Sequence, residues 1–382
     1  MQQLLPLWVD PEGNAQGVLS PGEYIKRELV KRGWGQADLA AILHRPLPTV
    51  NEIIKGKKGI TPEMAVALGR AFNTSADLWA HREAAYRLSL VKPTDDDTKD
   101  KAVLFEVAPI KDLQRRGWIR PDAETADEIE AELVKFMGES PLTGAQVPAA
   151  LARQTFPASE FSNAQRAWLM QASHMARRLN ARTYGQSALE VAMPKLRKYA
   201  AKPESAAKIP IVLAELGVRL VVVEDLPRTR IDGAAFFLDG DQEKPVIALS
   251  MRLDRMESFW HTLGHELRHI INRDPLSLDS ALVGENRERL VSEMERKADL
   301  EAASWLVPES EIKSFALRAK PWFAKELIIP FAGRMGVHPC IVVGRLQHAE
   351  IIGWDRHADL RPKIREHVLS TATCDGYGKR IS

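Results

Sequence analysis

The feature that most constrains this chain is the density of helix starts and stops between residues 20 and 88. Five short helical patterns follow one another there: SPGEYIKRELVKRGW, QADLAAILHR, PLPTVNEIIKGKKG, TPEMAVALGRAFN and TSADLWAHREAAYRL. Ser20, Thr61 and Thr74 stand where a hydroxyl can accept an unpaired helix N–H, and Pro21 and Pro62 suit first-turn positions. Gly33, Gly56 and Gly59 mark stops. Helices this short form only by packing their apolar stripes on one another, so the segment predicts a compact all-α domain.

The order of these helices points to a helix-turn-helix. Gln36 opens a short helix with Leu39, Ala40 and Leu43 inward; HRPLP makes the turn; Thr49 to Lys55 forms a second helix with Val50, Ile53 and Ile54 inward. The second helix of such a pair lies in the DNA major groove. Thr49, Asn51, Glu52 and Lys55 are its outward candidates, and Gln36, Arg45, Lys57 and Lys58 are candidates for phosphate contact. With 53 Lys+Arg against 51 Asp+Glu the formal charge is only +2, so DNA affinity must come from a local patch.

After VKPTDDDTKDK, read as a linker over residues 89–101, a helical middle runs over 102–204 with breaks at Pro141, Pro157 and Pro194. VRLVVVEDL and GAAFFLDGDQEKPVIALS predict a small sheet, and helical periodicity resumes from Met256 to about Pro308. The segment from Ile312 onward reads as further helices, with a tail over 351–382.

FWHTLGHELRHIIN, within that last helical stretch, carries chemistry. As a helix it gathers Phe259, Leu263, Leu267, Ile270 and Ile271 on one side, and sets His265 and His269 together on the other. Imidazoles at i and i+4 converge on one point, where a metal could accept both, and Glu266 beside the first can act as general base on water there. A third ligand is required. Downstream, Glu295 and Asp299 lie four apart over Ala302, Ala303 and Leu306, so Glu295 is the candidate ligand and Asp299 its support; Glu293 competes from a different face. The same run reads equally as solvated charge beside Arg296 and Lys297.

Two resemblances bear on these readings. LSPGEYIKRELVKRGWGQADLAAIL through NEIIKGKKGITPEMAVALGRAFNTSADLWAHREAAYRL resembles the XRE-type domain of HigA-family antitoxins, with Leu47 and Pro48 where that family often has polar residues. VRLVVVEDL through FWHTLGHELRHIIN and EMERKADLEAASWLVP resembles the ImmA/IrrE zinc metallopeptidases, whose HExxH is followed by a helix reading roughly ExEANxFAxxLLMP. Aligned on Pro308, the chain matches at Glu295 and Ala298, and carries Asp299 for the usual Asn, Lys297 for the second Glu and Trp305 in the closing apolar run.

The resemblances imply a mainly α protein with a small β-sheet (α+β). An N-terminal helix-turn-helix domain (20–88) would precede a zincin-like ImmA/IrrE domain (205–350) with zinc on His265, His269 and Glu295. They also imply operator DNA, a HigB-type ribonuclease toxin and a peptide substrate as partners, in a homodimer. The alternative is an antitoxin or repressor whose peptidase-like fold only binds or senses. His261, His338 and Arg345 are candidates for stabilising an oxyanion, and the GAAFFL strand for pairing with substrate. Two cysteines, no signal-peptide pattern and no apolar run of membrane length predict a cytoplasmic protein.

Overall fold

The computed structural model describes residues 19–91, 97–138, 161–274, 277–280 and 293–376. The predicted breaks at Pro141 and Pro157 lie outside these residues, as do residues 92–96 of the predicted linker. The chain divides into two compact units, Met1–Asp97 and Thr98–Ser382. Among the described residues, no single helix is long and apolar enough to cross a membrane.

The first unit contains Pro21–Arg32 (α1), Gln36–Ile42 (α2), Leu47–Ile54 (α3), Pro62–Phe72 (α4) and Ala76–Leu90 (α5). Ser20 and Thr61 cap α1 and α4 by accepting from Glu23 N and Met64 N. Thr74 is not a cap: Ser75 accepts from Leu78 N, while the Thr74 hydroxyl takes the Trp79 indole N–H at 2.9 Å. Gly33 ends α1 at φ +66°, in the left-handed region that costs glycine little. The helices close over Ile25, Leu39, Val50, Ile53, Leu68 and Phe72, so the inward sets predicted for α2 and α3 are core. α3 starts at Leu47, two residues earlier than the sequence suggested, because Pro46 has an extended N-cap geometry and Pro48 fits the first turn.

The second unit continues with Asp97–Val107 (α6), Ile110–Arg115 (α7), Ala126–Met137 (α8), Asn163–Arg177 (α9), Gln186–Arg197 (α10) and Ile209–Glu215 (α11). α6 begins inside the predicted linker, where acidic residues complement a helix N-terminus. Pro194 does not break α10, because it falls in the last turn, where only one hydrogen bond is lost before a 3-10 segment takes over.

The strands are Arg219–Val222 (β1), Ile231–Phe237 (β2), Pro245–Leu249 (β3), Ser277–Ser280 (β4) and Thr373–Cys374 (β5). They form one mixed sheet in the order β4-β2-β3-β1-β5. β1 runs parallel to β3 and β5, and β2 antiparallel to β3 and β4. The GAAFFL strand is therefore interior: β3 pairs along Gly233–Phe237 and β4 along Ile231–Ala235, so over Gly233–Ala235 both backbone edges are taken and a substrate strand could not add there. Period-two alternation divides the sheet between two cores: Leu220, Val222, Ala235 and Ile247 on one face; Val221, Ala234, Phe236 and Val246 on the other, where α9 lies. The helical middle thus packs in the same unit as the sheet. Trp168 of α9 donates its indole N–H to Val223 O at 2.8 Å.

On the first face lie Met256–Asn272 (α12) and Glu293–Leu306 (α13), followed by Glu309–Ala319 (α14), Lys325–Met335 (α15), Pro339–His348 (α16) and Arg365–Leu369 (α17). α12 is buried on all sides rather than on one stripe, because β2 and β3 take its apolar side and α13 covers its histidine side. Gly264 makes that cover possible. A Cβ there would stand 2.8 Å from the Trp305 ring, so only glycine lets the two helices close.

Candidate metal centre and DNA-reading helix

α12 and α13 bring His265, His269 and Glu295 together. His265 Nε2 lies 2.9 Å from His269 Nε2 and 3.1 Å from Glu295 Oε2, and His269 Nε2 lies 3.5 Å from the same oxygen. The two histidines are almost fully buried and Glu295 is half-buried. Glu293, the competing carboxylate, is exposed and outside the cluster.

The outer nitrogens decide the chemistry. His265 Nδ1 lies 2.8 Å from Asp299 Oδ1, and His269 Nδ1 lies 2.9 Å from Asp274 Oδ2. If each Nδ1 donates its proton to its carboxylate, both Nε2 lone pairs and the Glu295 oxygen face one another. Three electron-pair donors at this separation repel unless a cation sits among them. Zinc bonds of about 2.0–2.2 Å in tetrahedral array place ligand atoms about 3.3–3.5 Å apart, close to the spacing found. The donor set therefore fits zinc.

Asp274 is the residue that sequence reading missed. It lies just past α12, where Arg273 turns back at φ +57°, so that Asp274 N also donates to His269 O at 3.0 Å. Its spacing of five from His269 is a usable signal only once the helix end is known. The carboxylates also set the charge of the site. Burial draws the His269 imidazole down, but hydrogen bonding to Glu295, the Glu266 charge and the bond to Asp274 outweigh it and leave its pKa above the usual value. Burial pushes Asp299 up, but the His265 hydrogen bond and charge bring it below the usual carboxylate range.

Glu266 is fully buried against β2. Gly233 permits this: a Cβ there would sit 2.7 Å from Thr262 Cγ2 and 2.8 Å from Glu266 Oε1. The three oxyanion candidates separate. His338 caps α16, its Nδ1 accepting from Cys340 N, and Arg345 pairs with Glu309 at 2.6 Å. His261 alone stands in the field of Asp299 and His265, stacked on His348 at 5.4 Å, with burial as the main cause of a pKa pulled down to about 4.

In the first unit, α2 and α3 meet at a turn in which His44 adopts φ +49°. Gln36, Arg45, Glu52, Lys55, Lys57 and Lys58 are exposed, as are Leu47 and Pro48 in the first turn of α3. Thr49 and Asn51 are only half-exposed, and Asn51 Oδ1 is buried without a hydrogen-bond partner. Asn51 is thus less outward than its helical position suggested, because it borders the buried Val50 and Ile54. Its amide oxygen is withdrawn from the surface.

Comparison with known proteins bears on this unit. Residues 25–79 match the helix-turn-helix family model. The chain is 32% identical over 80 residues to virulence-associated protein I of Dichelobacter nodosus, covering 21% of this chain and 74% of that protein. Among solved structures it is similar to PA4674 of Pseudomonas aeruginosa in complex with its operator DNA, at 32% identity and TM-score 0.21, over 22% of this chain and 92% of that one. It is also similar to the Pseudomonas aeruginosa antitoxin HigA with the higBA promoter, at 34% identity and TM-score 0.19, over 24% and 98%. Through residues 25–79, the chain belongs to the XRE-type helix-turn-helix family.

Proposed function

We propose that this protein is an antitoxin-type transcriptional regulator that binds operator DNA through its first unit and carries a zinc peptidase centre in its second. The family of the first unit and the polar, basic exposure around α3 support the DNA reading. Glu52 and Lys55 would face base edges, Leu47 would meet a thymine methyl, and Arg45, Lys57 and Lys58 would hold phosphates. Paired half-sites call for a homodimer. A HigB-type toxin is the partner that the antitoxin resemblance implies.

The observation that carries the peptidase reading is the convergence of His265 Nε2, His269 Nε2 and a Glu295 oxygen within 4.8 Å of one another. When bound, zinc would supply a Lewis acid for a peptide carbonyl and for water. His265, His269 and Glu295 would hold it, with Asp299 and Asp274 fixing the imidazole tautomers. Glu266, packed against Gly233, would take a water proton on its carboxylate and return it to the leaving amine.

Zinc per chain in the purified protein tests the centre. The expected result is near one zinc, lost in His265→Ala, His269→Ala and Glu295→Ala and kept in Glu266→Gln, which loses cleavage. A well-folded wild type without affinity for zinc, or equal cleavage by wild type and Glu266→Gln, overturns it.

A further inference from the structure

We propose that a cleft at the N-terminal end of β1 is a second site, which binds a small monocarboxylate with an apolar body. The cleft has a volume of about 520 Å³, within the range of about 300–1,000 Å³ that encloses small-molecule ligands. The turn after α9, the outer side of α11, the start of β1 and the residues around β5 form its walls. Leu179, Pro210, Ile211, Ala214 and Leu220 make most of that lining apolar, and Ile211 is 55% exposed. A protein surface leaves an apolar concavity of this kind open to water at a cost, which a hydrocarbon body would remove.

Three charged residues are among those that line the cleft: Arg182, Arg219 and Glu215. Among the described residues no carboxylate lies within ion-pair distance of either guanidinium, and Arg219 Nη1 is buried without a hydrogen-bond partner. Burial holds the Arg219 pKa below its usual value, with the Asp241 charge opposing that shift only in part. An anion reaching Arg219 would offset this penalty with a charge-assisted hydrogen bond. Within the lining, two arginines stand against one glutamate, an excess of one positive charge that Asp241 from outside the lining further reduces, which suits a monoanion better than a phosphate dianion. The shape and charge together select a carboxylate with a hydrocarbon or aromatic body.

This site is separate from the metal centre. Arg219 pairs with Val246 in β3, whereas Val222, at the other end of β1, is level with Leu249 and hence with Gly233 beside Glu266. Three strand residues, about 10 Å, separate the two levels.

Titration calorimetry of the full chain with butanoate, octanoate and phenylacetate tests the proposal, with octanamide and inorganic phosphate as controls. At least one carboxylate should bind the wild type, and neither control should. Arg219→Gln should weaken that binding about tenfold or more. Ala214→Phe, which fills the cleft without altering its charge, should abolish it while zinc content and melting temperature stay at the wild-type level. Absence of binding by all three carboxylates, equal binding of phosphate or octanamide, or unchanged affinity in a folded Arg219→Gln or Ala214→Phe variant overturns it. None of these outcomes depends on peptidase activity.

Discussion

At the level of single residues, the candidate metal centre rests on side chains that differ in how visible they are. His265, Glu266 and His269 are a contiguous pattern, so the helix period alone puts the histidines on one side. Asp299 reaches His265 as its spacing from Glu295 suggested, but Asp274 depends on a left-handed turn that no residue type in RDP announces. Asp274→Asn is expected to lower zinc affinity about 10–100-fold while leaving the three ligands in place, which competition with a chromogenic chelator would measure. A second prediction concerns His174, packed edge-on against Phe136 at 5.3 Å. Burial, then the charges of Arg177 and Arg178, pull its pKa down to about 4 from 6.5. The unfolded chain therefore takes up this proton first. The stability that neutral His174 provides is complete above pH 6.5 and falls as pH drops towards 4, by at most about 3 kcal/mol. His174→Gln should flatten the drop in urea-unfolding free energy across that window; an unchanged slope would rule the assignment out.

At the level of elements, close approaches at glycines set the geometry of both sites. In the first unit, a Cβ on Gly22 of α1 would stand 2.2 Å from Ile54 O at the end of α3. Helix propensity favours alanine over glycine by about 1 kcal/mol, but a carbonyl in a packed backbone cannot swing aside, and overpacking costs about 1–3 kcal/mol. Gly22→Ala should therefore destabilise the first unit and displace α3, seen as a lower melting temperature and weaker operator binding. A more stable variant would show that the helices can separate freely. In the second unit, Gly233→Ala should push Glu266 from β2 and reduce cleavage more than zinc content, because the added methyl meets the Glu266 and Thr262 side chains of α12 rather than a ligand side chain. The inward faces of α2 and α3 were legible from periodicity. The exact start of α3 was not, since a proline at its second position is also compatible with a turn.

At the level of the whole molecule, distant segments complete the second unit. Arg116, next to α7, forms a buried ion pair with Asp375 after β5 and donates to Glu224 O at 2.7 Å. Asp375→Ala leaves that guanidinium buried without its carboxylate and should cost about 3–5 kcal/mol, measured by denaturant unfolding. A loss under about 1 kcal/mol would mean that the backbone carbonyls suffice. The sequence by itself determined what depends on neighbours within one or two helical turns: the five-helix order of the first unit, its caps at Ser20 and Thr61, and the HExxH face. Tertiary structure alone decided that GAAFFL is an interior strand, that the helical middle and the tail belong to the sheet unit, and that Arg219 ends in a cleft without a carboxylate partner. The reason is range. Periodicity and capping are set by bonds three or four residues apart, whereas strand order, burial of a charge and the second carboxylate on a histidine depend on which distant segments come to lie alongside.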